Sequence, residues 1–322
     1  MRILITGACG FVGRHLAQQL LDTTPDAEIH GTILPDLPYQ EQQGVKVHSI
    51  DLKNALQTAQ LLADLRPQHI YHLAAQAFVP RSFENPWETL ENNILAQLNV
   101  ILACLETKIA PRMLVVSSAE IYGPVAPEEL PINEDARLRP NSPYSVSKIT
   151  QDMLGLQYYL SHNLPIMRAR AFNHLGPGQN ERFVAPDFGM QIARIEAGLQ
   201  PQSIKVGDLK ARRDFTDVRD IVRAYQMIVE KGTPGEVYNV CSGQARSVQS
   251  LLDIMLQYSH TSIQVIIDTA RLRPANIPVL RGDNTRLTRA TGWQPKVPFE
   301  QTLVDVLNDC RQRIHLTNSP LN

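Results

Sequence analysis

The chain has 322 residues, 43% of them hydrophobic and 20% charged, with a formal net charge of −1. This composition supports a sizeable core and excludes a disordered chain, and the length fits two domains or one large α/β domain. The near-neutral balance offers no basic surface for nucleic acid and no acidic tail for a charge-driven partner.

Residues 2–6 form a short apolar run that reads as a buried parallel strand. It breaks at Gly7, too early for a signal peptide or a membrane span. Residues 14–21 carry helical apolar spacing. Strands are expected at 28–32 and 45–50, a helix at 55–65 stopped by Pro67, and a strand at 69–73. A long helix covers 86–106 and a strand 112–118. After a Pro-rich loop come a long helix over 144–162 and a strand over 165–172. Such alternation predicts an α/β protein, a doubly wound parallel Rossmann sheet with helices on both faces.

Past residue 172 the rhythm changes. Helices are expected at 184–197, 217–231, 247–258 and 299–313, with strands at 204–206 and 235–240. A charged stretch ends at Arg212–Phe215, and the polar tail from about His315 reads as frayed. The expected division is a dinucleotide-binding domain of residues 1–171 plus 217–244, and a smaller mixed α/β substrate domain of 172–216 plus 245–322. Cys9, Cys104, Cys241 and Cys310 are scattered, and the histidines form no ligand cluster. No metal site is expected, and a reduced cytoplasmic setting is.

Gly7, Gly10 and Gly13 stand between a strand and a helix, the context a dinucleotide fingerprint requires. Glycines admit close approach of backbone N–H groups to a diphosphate, and the helix N-terminus adds positive potential. Asp51 and Leu52 follow the third strand, where an acid can hold an adenine amino group. Ala74 and Ala75 end the fourth strand with small side chains. The end of the second strand, residues 30–36, has neither an acid nor a base where the ribose is read. Asp36 comes late and Arg14 is a candidate phosphate partner, so NAD and NADP both stay open.

Ser118 and Glu120 follow the fifth strand. The serine suits a hydrogen bond to a substrate oxygen. Glu120 suits a base, a positioning group or a solvated carboxylate. Tyr144 and Lys148 are four residues apart on one helix face, with Pro143 at a helix start. An ammonium beside a phenol lowers the phenol's pKa, which is the expectation for this pair. Arg213 and Arg273 suit a substrate carrying its own diphosphate.

Together, residues 6–13, His72–Ala75, Ser118, Tyr144, Lys148 and Asn173 resemble the extended short-chain dehydrogenase/reductases that act on nucleotide sugars. The likeness covers nearly the whole chain. Residues 172–178, 183–184, 205–209, 213–220 and 272–274 look most like the GDP-4-dehydro-6-deoxy-D-mannose reductases, relatives of the GDP-mannose 4,6-dehydratases. The resemblance implies cofactor contacts at Gly7, Gly10, Phe11, Val12, Gly13, Asp51, Leu52, Leu73, Ala74, Ala75 and Asn93, besides Tyr144 and Lys148. It implies substrate contacts at Ser118, Asn173, Val184, Arg213 and Arg273, and catalytic roles for Ser118, Glu120, Tyr144 and Lys148.

The activity implied is reduction of the C4 keto group of a GDP-linked 4-keto-6-deoxy sugar by NADPH or NADH, giving GDP-D-rhamnose. A 4,6-dehydratase with Glu120 as base is the alternative, and a 4-epimerase or a non-catalytic dinucleotide sensor stands further off. Family likeness also implies a homodimer through a bundle of helices 93–106 and 144–160. Two positions depart from the pattern. Ala96-Gln97 replaces the usual Gly-Thr, and Asn276 stands where an acid usually closes the Arg273 motif.

Overall fold

The structure, a computed structural model, describes residues 1–35, 37–271 and 277–318. The apolar run at the N-terminus becomes the middle of a parallel sheet. β1 (Arg2–Thr6) is buried from Ile3 onward. α1 (Phe11–Thr23) begins three residues earlier than its apolar spacing suggests, because Gly10 is extended and starts the helix directly after the glycine turn. β2 (Glu28–Ile33), β3 (Val45–Ser49), α2 (Ala55–Leu65) and β4 (His69–His72) follow.

α3 (Val79–Glu84) is a short helix with no sequence signal of its own length. α4 (Pro86–Glu106) starts on Pro86, with Asn85 Oδ1 accepting the Glu88 N–H at 3.1 Å. β5 (Arg112–Ser118) leads through a loop to α5 (Pro143–His162). Ser142 caps α5 by accepting the Ser145 N–H at 3.1 Å, and Pro143 takes the first helical position, as its missing N–H permits. β6 (Ile166–Ala171) is buried throughout.

The second half is more broken. β7 (Asn173–Leu175), α6 (Val184–Glu196), β8 (Ser203–Val206) and β9 (Arg212–Asp217) precede α7 (Val218–Lys231), which Asp217 caps. β10 (Val237–Val240), β11 (Ala245–Ser247), α8 (Val248–Gln257), β12 (Gln264–Ile267), β13 (Val279–Leu280), α9 (Thr285–Thr291) and α10 (Phe299–Asn318) complete the described chain. The charged stretch before α7 is a strand. From His315 the expected fraying gives way to helix as far as Asn318, and Ile314 just before it is buried in the second core.

The main sheet has the order β10-β6-β5-β4-β1-β2-β3, with every pair parallel. This is the doubly wound α/β sheet that the alternation predicts. α1 and α7 cover one face around Leu16, Leu20, Val218 and Val222. α2, α4 and α5 cover the other around Leu62, Val100, Ile101 and Ile166. A separate core of Phe188, Ile192, Leu252, Leu303 and Leu307 joins α6, α8 and α10. The chain also returns to the first core late. Leu287 and Trp293 are fully buried there, and Trp293 Nε1 donates to the Asp220 carbonyl at 2.9 Å.

Candidate active site

Strand order reverses between β1 and β4, and the glycine turn leaves β1 at that switch point. Gly7 has φ +71°, and a Cβ there would stand 3.1 Å from the Ala74 backbone. A Cβ on Gly13 would stand 2.3 Å from the Gly7 carbonyl oxygen. Both positions are therefore closed to larger residues, and the turn lies flat against the start of α1. A cleft of about 440 Å³ opens here, lined by Gly7, Gly10, Asp51, Leu52, Leu73, Ala74 and Ala75. The backbone cradle and the helix N-terminus fit a diphosphate, and Leu52, Ala74 and Ala96 fit the face of a flat ring. Asp51 Oδ1 accepts the Lys53 N–H at 2.9 Å. The residues present fit a dinucleotide.

The cleft continues as a second chamber of about 350 Å³ that shares Gly7, Gly10, Leu73 and Ala75. Phe11, Val12, Gly13, Ser118, Glu120, Tyr144, Lys148 and Asn173 line it. The Tyr144 hydroxyl shares a hydrogen bond with Ser118, whose Oγ also accepts the Glu120 N–H at 3.2 Å. Lys148 Nζ donates to the Val116 carbonyl and to Gln151 Oε1, each at 2.7 Å.

These contacts correct the expected electrostatics of the pair. Burial pushes the Tyr144 phenol up to about 12, with the Glu120 charge adding to the rise. Burial also brings the Lys148 ammonium down to about 7, although Asp152 pulls the other way. Four-residue spacing puts both side chains on one face, but the ammonium turns to β5 and Gln151 rather than to the phenol. The phenol stays protonated at neutral pH, which makes it a proton donor.

Behind the pair, Asp152 is fully buried and accepts Arg168 Nη1 at 2.7 Å and Arg170 Nε at 2.9 Å. This triad ties α5 to β6. Arg170 also donates to Tyr122, whose hydroxyl donates to Asn239.

Three expected residues lie elsewhere. Asn93 is fully buried behind the cleft wall; its amide holds the Gln76 backbone on both sides and donates to Ser147 Oγ at 2.9 Å. It clamps the loop after β4 to α5, while Asn92 lines the cleft instead. Val184 opens α6 and packs on the second core. Arg213 Nη1 donates to the carbonyls of Arg212 and Ile277. Arg273, like Asn276 and Asp36, lies outside the described residues. The departure at Gln97 has a definite place: Gln97 is fully buried, and its Nε2 donates to the Gln151 carbonyl at 2.7 Å.

Sequence reasoning missed His174, Gln179 and Phe183, which line the same chamber. His174 Nδ1 lies 2.9 Å from the Phe172 carbonyl oxygen, its ring stacks on Phe11, and burial lowers its pKa, so it is neutral. His174 lies in the family-like segment 172–178 and Phe183 in 183–184, and Gln179 follows the first directly.

The sequence model of the family described as GDP-mannose 4,6 dehydratase matches residues 4–306, which takes in both halves of the cleft. The chain belongs to this family. Within its wider neighbourhood, the GDP-6-deoxy-D-mannose reductase of Pseudomonas aeruginosa is 37% identical over 314 residues, covering 97% of this chain and 98% of that protein. GDP-mannose 4,6 dehydratase 1 of Arabidopsis thaliana is 28% identical over 326 residues, covering 95% of this chain and 88% of that one. Among solved structures, RMD from Pseudomonas aeruginosa complexed with NADPH aligns with a TM-score of 0.84 and 35% identity, covering 97% and 99% of the two chains. The family fold is that of the extended short-chain dehydrogenase/reductases. No described helix is long and apolar enough to cross a membrane.

Proposed function

We propose that the protein is an NAD(P)H-dependent reductase that converts the C4 keto group of GDP-4-dehydro-6-deoxy-D-mannose to the hydroxyl of GDP-D-rhamnose. The observation that carries this reading is the convergence of Tyr144, Ser118, Lys148 and Asn173 on a chamber that opens directly onto the dinucleotide cleft. The nucleotide cofactor, NADPH or NADH, supplies the hydride when bound. Tyr144 gives its proton to the oxygen of the reduced ketone, and Ser118 holds that oxygen in line. When protonated, Lys148 adds positive charge to the chamber from one helical turn away, its amine held by Val116 and Gln151 rather than by the phenol. Asn173 positions the sugar from β7. Arg213 and Arg273 take the substrate diphosphate, and Val184 contacts the substrate; Arg213 must first exchange its carbonyl partners for phosphate oxygens.

Glu120 supports a second reading. It lines the same chamber as Tyr144, with its N–H fixed by Ser118. A carboxylate there suits removal of the C5 proton by a 4,6-dehydratase. The deciding experiment supplies GDP-mannose alone, then the keto sugar with NADPH or NADH. Oxidation of reduced cofactor only with the keto sugar supports the reductase. Keto-sugar formation from GDP-mannose without added reductant removes it as the sole activity.

The domain division is carried forward with one change: 285–293 joins 1–171 and 217–244, because Leu287 and Trp293 pack in that core. The protein works as a homodimer in the cytoplasm. Leu95 and Leu102 on α4, with Val146, Met153 and Leu160 on α5, are exposed apolar residues repeated every seven positions on two adjacent helices. A second copy would cover them as a four-helix bundle. A clean monomer at micromolar concentration in sedimentation would count against this. The four cysteines are free.

A further inference from the structure

Lys148 is steered by a neighbour that has no assigned part in the reaction. Gln151 is fully buried, one helical turn on from Lys148, and its Oε1 lies 2.7 Å from Lys148 Nζ. Its Nε2 stands 3.5 Å from His72 Nε2 on β4. On the other side of that imidazole, His72 Nδ1 lies 3.0 Å from Thr6 Oγ1 at the end of β1. Thr6 Oγ1 accepts the backbone N–H groups of Leu73 and Ala74, each at 3.1 Å. Gln97 on α4 holds the Gln151 carbonyl, so the backbone carrying this amide is anchored from a second helix.

The proton inventory of this row allows two arrangements. A hydroxyl has two lone pairs and one proton. With both lone pairs of Thr6 engaged, its proton goes to His72 Nδ1. Burial, then the nearby Lys148 charge, lowers the His72 pKa to about 3, so the ring is neutral. A neutral ring accepting at Nδ1 carries its proton on Nε2, and that N–H needs an oxygen opposite it. The Gln151 amide then turns Oε1 to His72 and its NH2 to Lys148, which fits only an uncharged amine. In the other arrangement Oε1 faces an ammonium, the NH2 faces a bare His72 Nε2, and His72 donates from Nδ1 to Thr6, whose hydroxyl then gives up the Leu73 N–H to the Thr6 carbonyl oxygen 3.3 Å from it. The two differ by one proton on Lys148 and by the direction of every bond in the row.

We infer that Gln151 is a positioning residue whose amide takes one of two directions according to the proton on Lys148, with His72 and Thr6 setting which direction is favoured. The titratable and charged groups around Lys148 are Asp152 on α5 and His72 on β4, with Tyr144 on α5, Glu120 in the turn after β5 and Tyr225 on α7 lining the same chamber; Arg168 and Arg170 on β6 stand behind Asp152. Asp152 is already closed by the two arginines. Gln151 is thus the neutral acceptor through which the row acts on the Lys148 amine.

The inference rests on the proposed use of this site, so its test has an arm that needs no sugar. Wild type, Gln151→Met, Gln151→Glu and His72→Phe are titrated with NADPH and NADH by nicotinamide fluorescence from about pH 6 to about pH 10, the range that brackets a lysine brought near neutrality. The kcat/KM profile on the GDP-keto sugar is measured over the same range. Gln151→Met removes the acceptor and moves the alkaline limb of both profiles down by about half a pH unit, the worth of one hydrogen bond. Gln151→Glu moves it up by about one unit, the effect of an adjacent opposite charge. His72→Phe frees Oε1 for Lys148 and also moves it up. Should the buried carboxylate of Gln151→Glu prevent folding, the opposed shifts of the Met and Phe variants decide alone. Limbs that coincide in all folded variants, with only kcat reduced, overturn the inference. Limbs that shift in cofactor binding while no keto sugar is reduced sink the reductase reading and leave the Gln151 role standing.

Discussion

Gly7, Gly10 and Gly13 lie in one turn between β1 and α1, whereas the chamber around Tyr144 is collected from β5, α5, β7 and the loop before α6. The glycine turn of the dinucleotide half is thus a local structure. Its shape follows from glycines that let backbone meet backbone, and distant changes leave it intact. The sugar half depends on where whole elements sit. Asp152, clamped by Arg168 and Arg170, fixes α5 on β6, and Asn93 and Gln97 fix it on α4. Tyr144 and Lys148 stand at the seam and answer to both halves.

Substitutions can break this contrast. At the seam, Tyr144→Phe removes the proton donor and should lower kcat by about a thousandfold, the usual scale for general acid catalysis. Its cofactor affinity should stay within about twofold, because a Phe ring keeps the apolar surface; unchanged turnover would remove Tyr144 from the mechanism. In the local half, Gly13→Val forces a Cβ into the Gly7 carbonyl oxygen. NADPH or NADH affinity should fall by about a hundredfold in a fluorescence titration while the protein still melts cooperatively; undiminished affinity would detach the glycine turn from cofactor binding.

Lys148→Met tests the cost of burying a charge. The folded-state pKa of Lys148 is about 7, below the unfolded value, so the unfolded chain binds more protons between those two values. Stability therefore rises with pH across that window, and the penalty is fully present below it. The Met variant should be more stable at about pH 6 by about 2 kcal/mol and should lose the rise on going alkaline, as read by denaturant melts. A wild type whose stability is flat with pH above neutrality would refute the buried, depressed lysine. The smallest change is expected at Glu120→Gln, which should alter reductase kcat by less than about threefold if Glu120 only borders the chamber. A loss comparable with that of Tyr144→Phe would transfer the weight to the dehydratase reading.

The contrast also explains what the sequence revealed. The strand–turn–helix around Gly7, the small Ala74–Ala75 strand end and the Tyr144–Lys148 spacing are short-range patterns, and the structure places all of them on one cleft. Spacing did not reveal burial, so the direction of the Tyr144 shift came out reversed. Asn93 sits on the right helix but faces the loop after β4, a difference of one position from the cleft-lining Asn92. Gln151, His72 and Thr6 meet only because β1, β4 and α5 pack together; Thr6 and His72 fall within family-like segments, but no local pattern marks Gln151 or their meeting. The short β7, β11 and β13 strands pair around β9, and their sequences carry too few residues to show a period.

Trp293 gives the two halves a fastening. After leaving for the second core, the chain comes back to seat this indole beside α7, and the backbone N–H groups of Lys296 and Val297 both donate to Asp220 Oδ2, at 2.8 and 2.9 Å. A fragment cut at residue 244 would keep every strand of the main sheet yet leave an open socket where the indole belongs. The segments 245–271 and 277–284, which carry β11, α8, β12 and β13, are thus bracketed on both sides by elements of the first core.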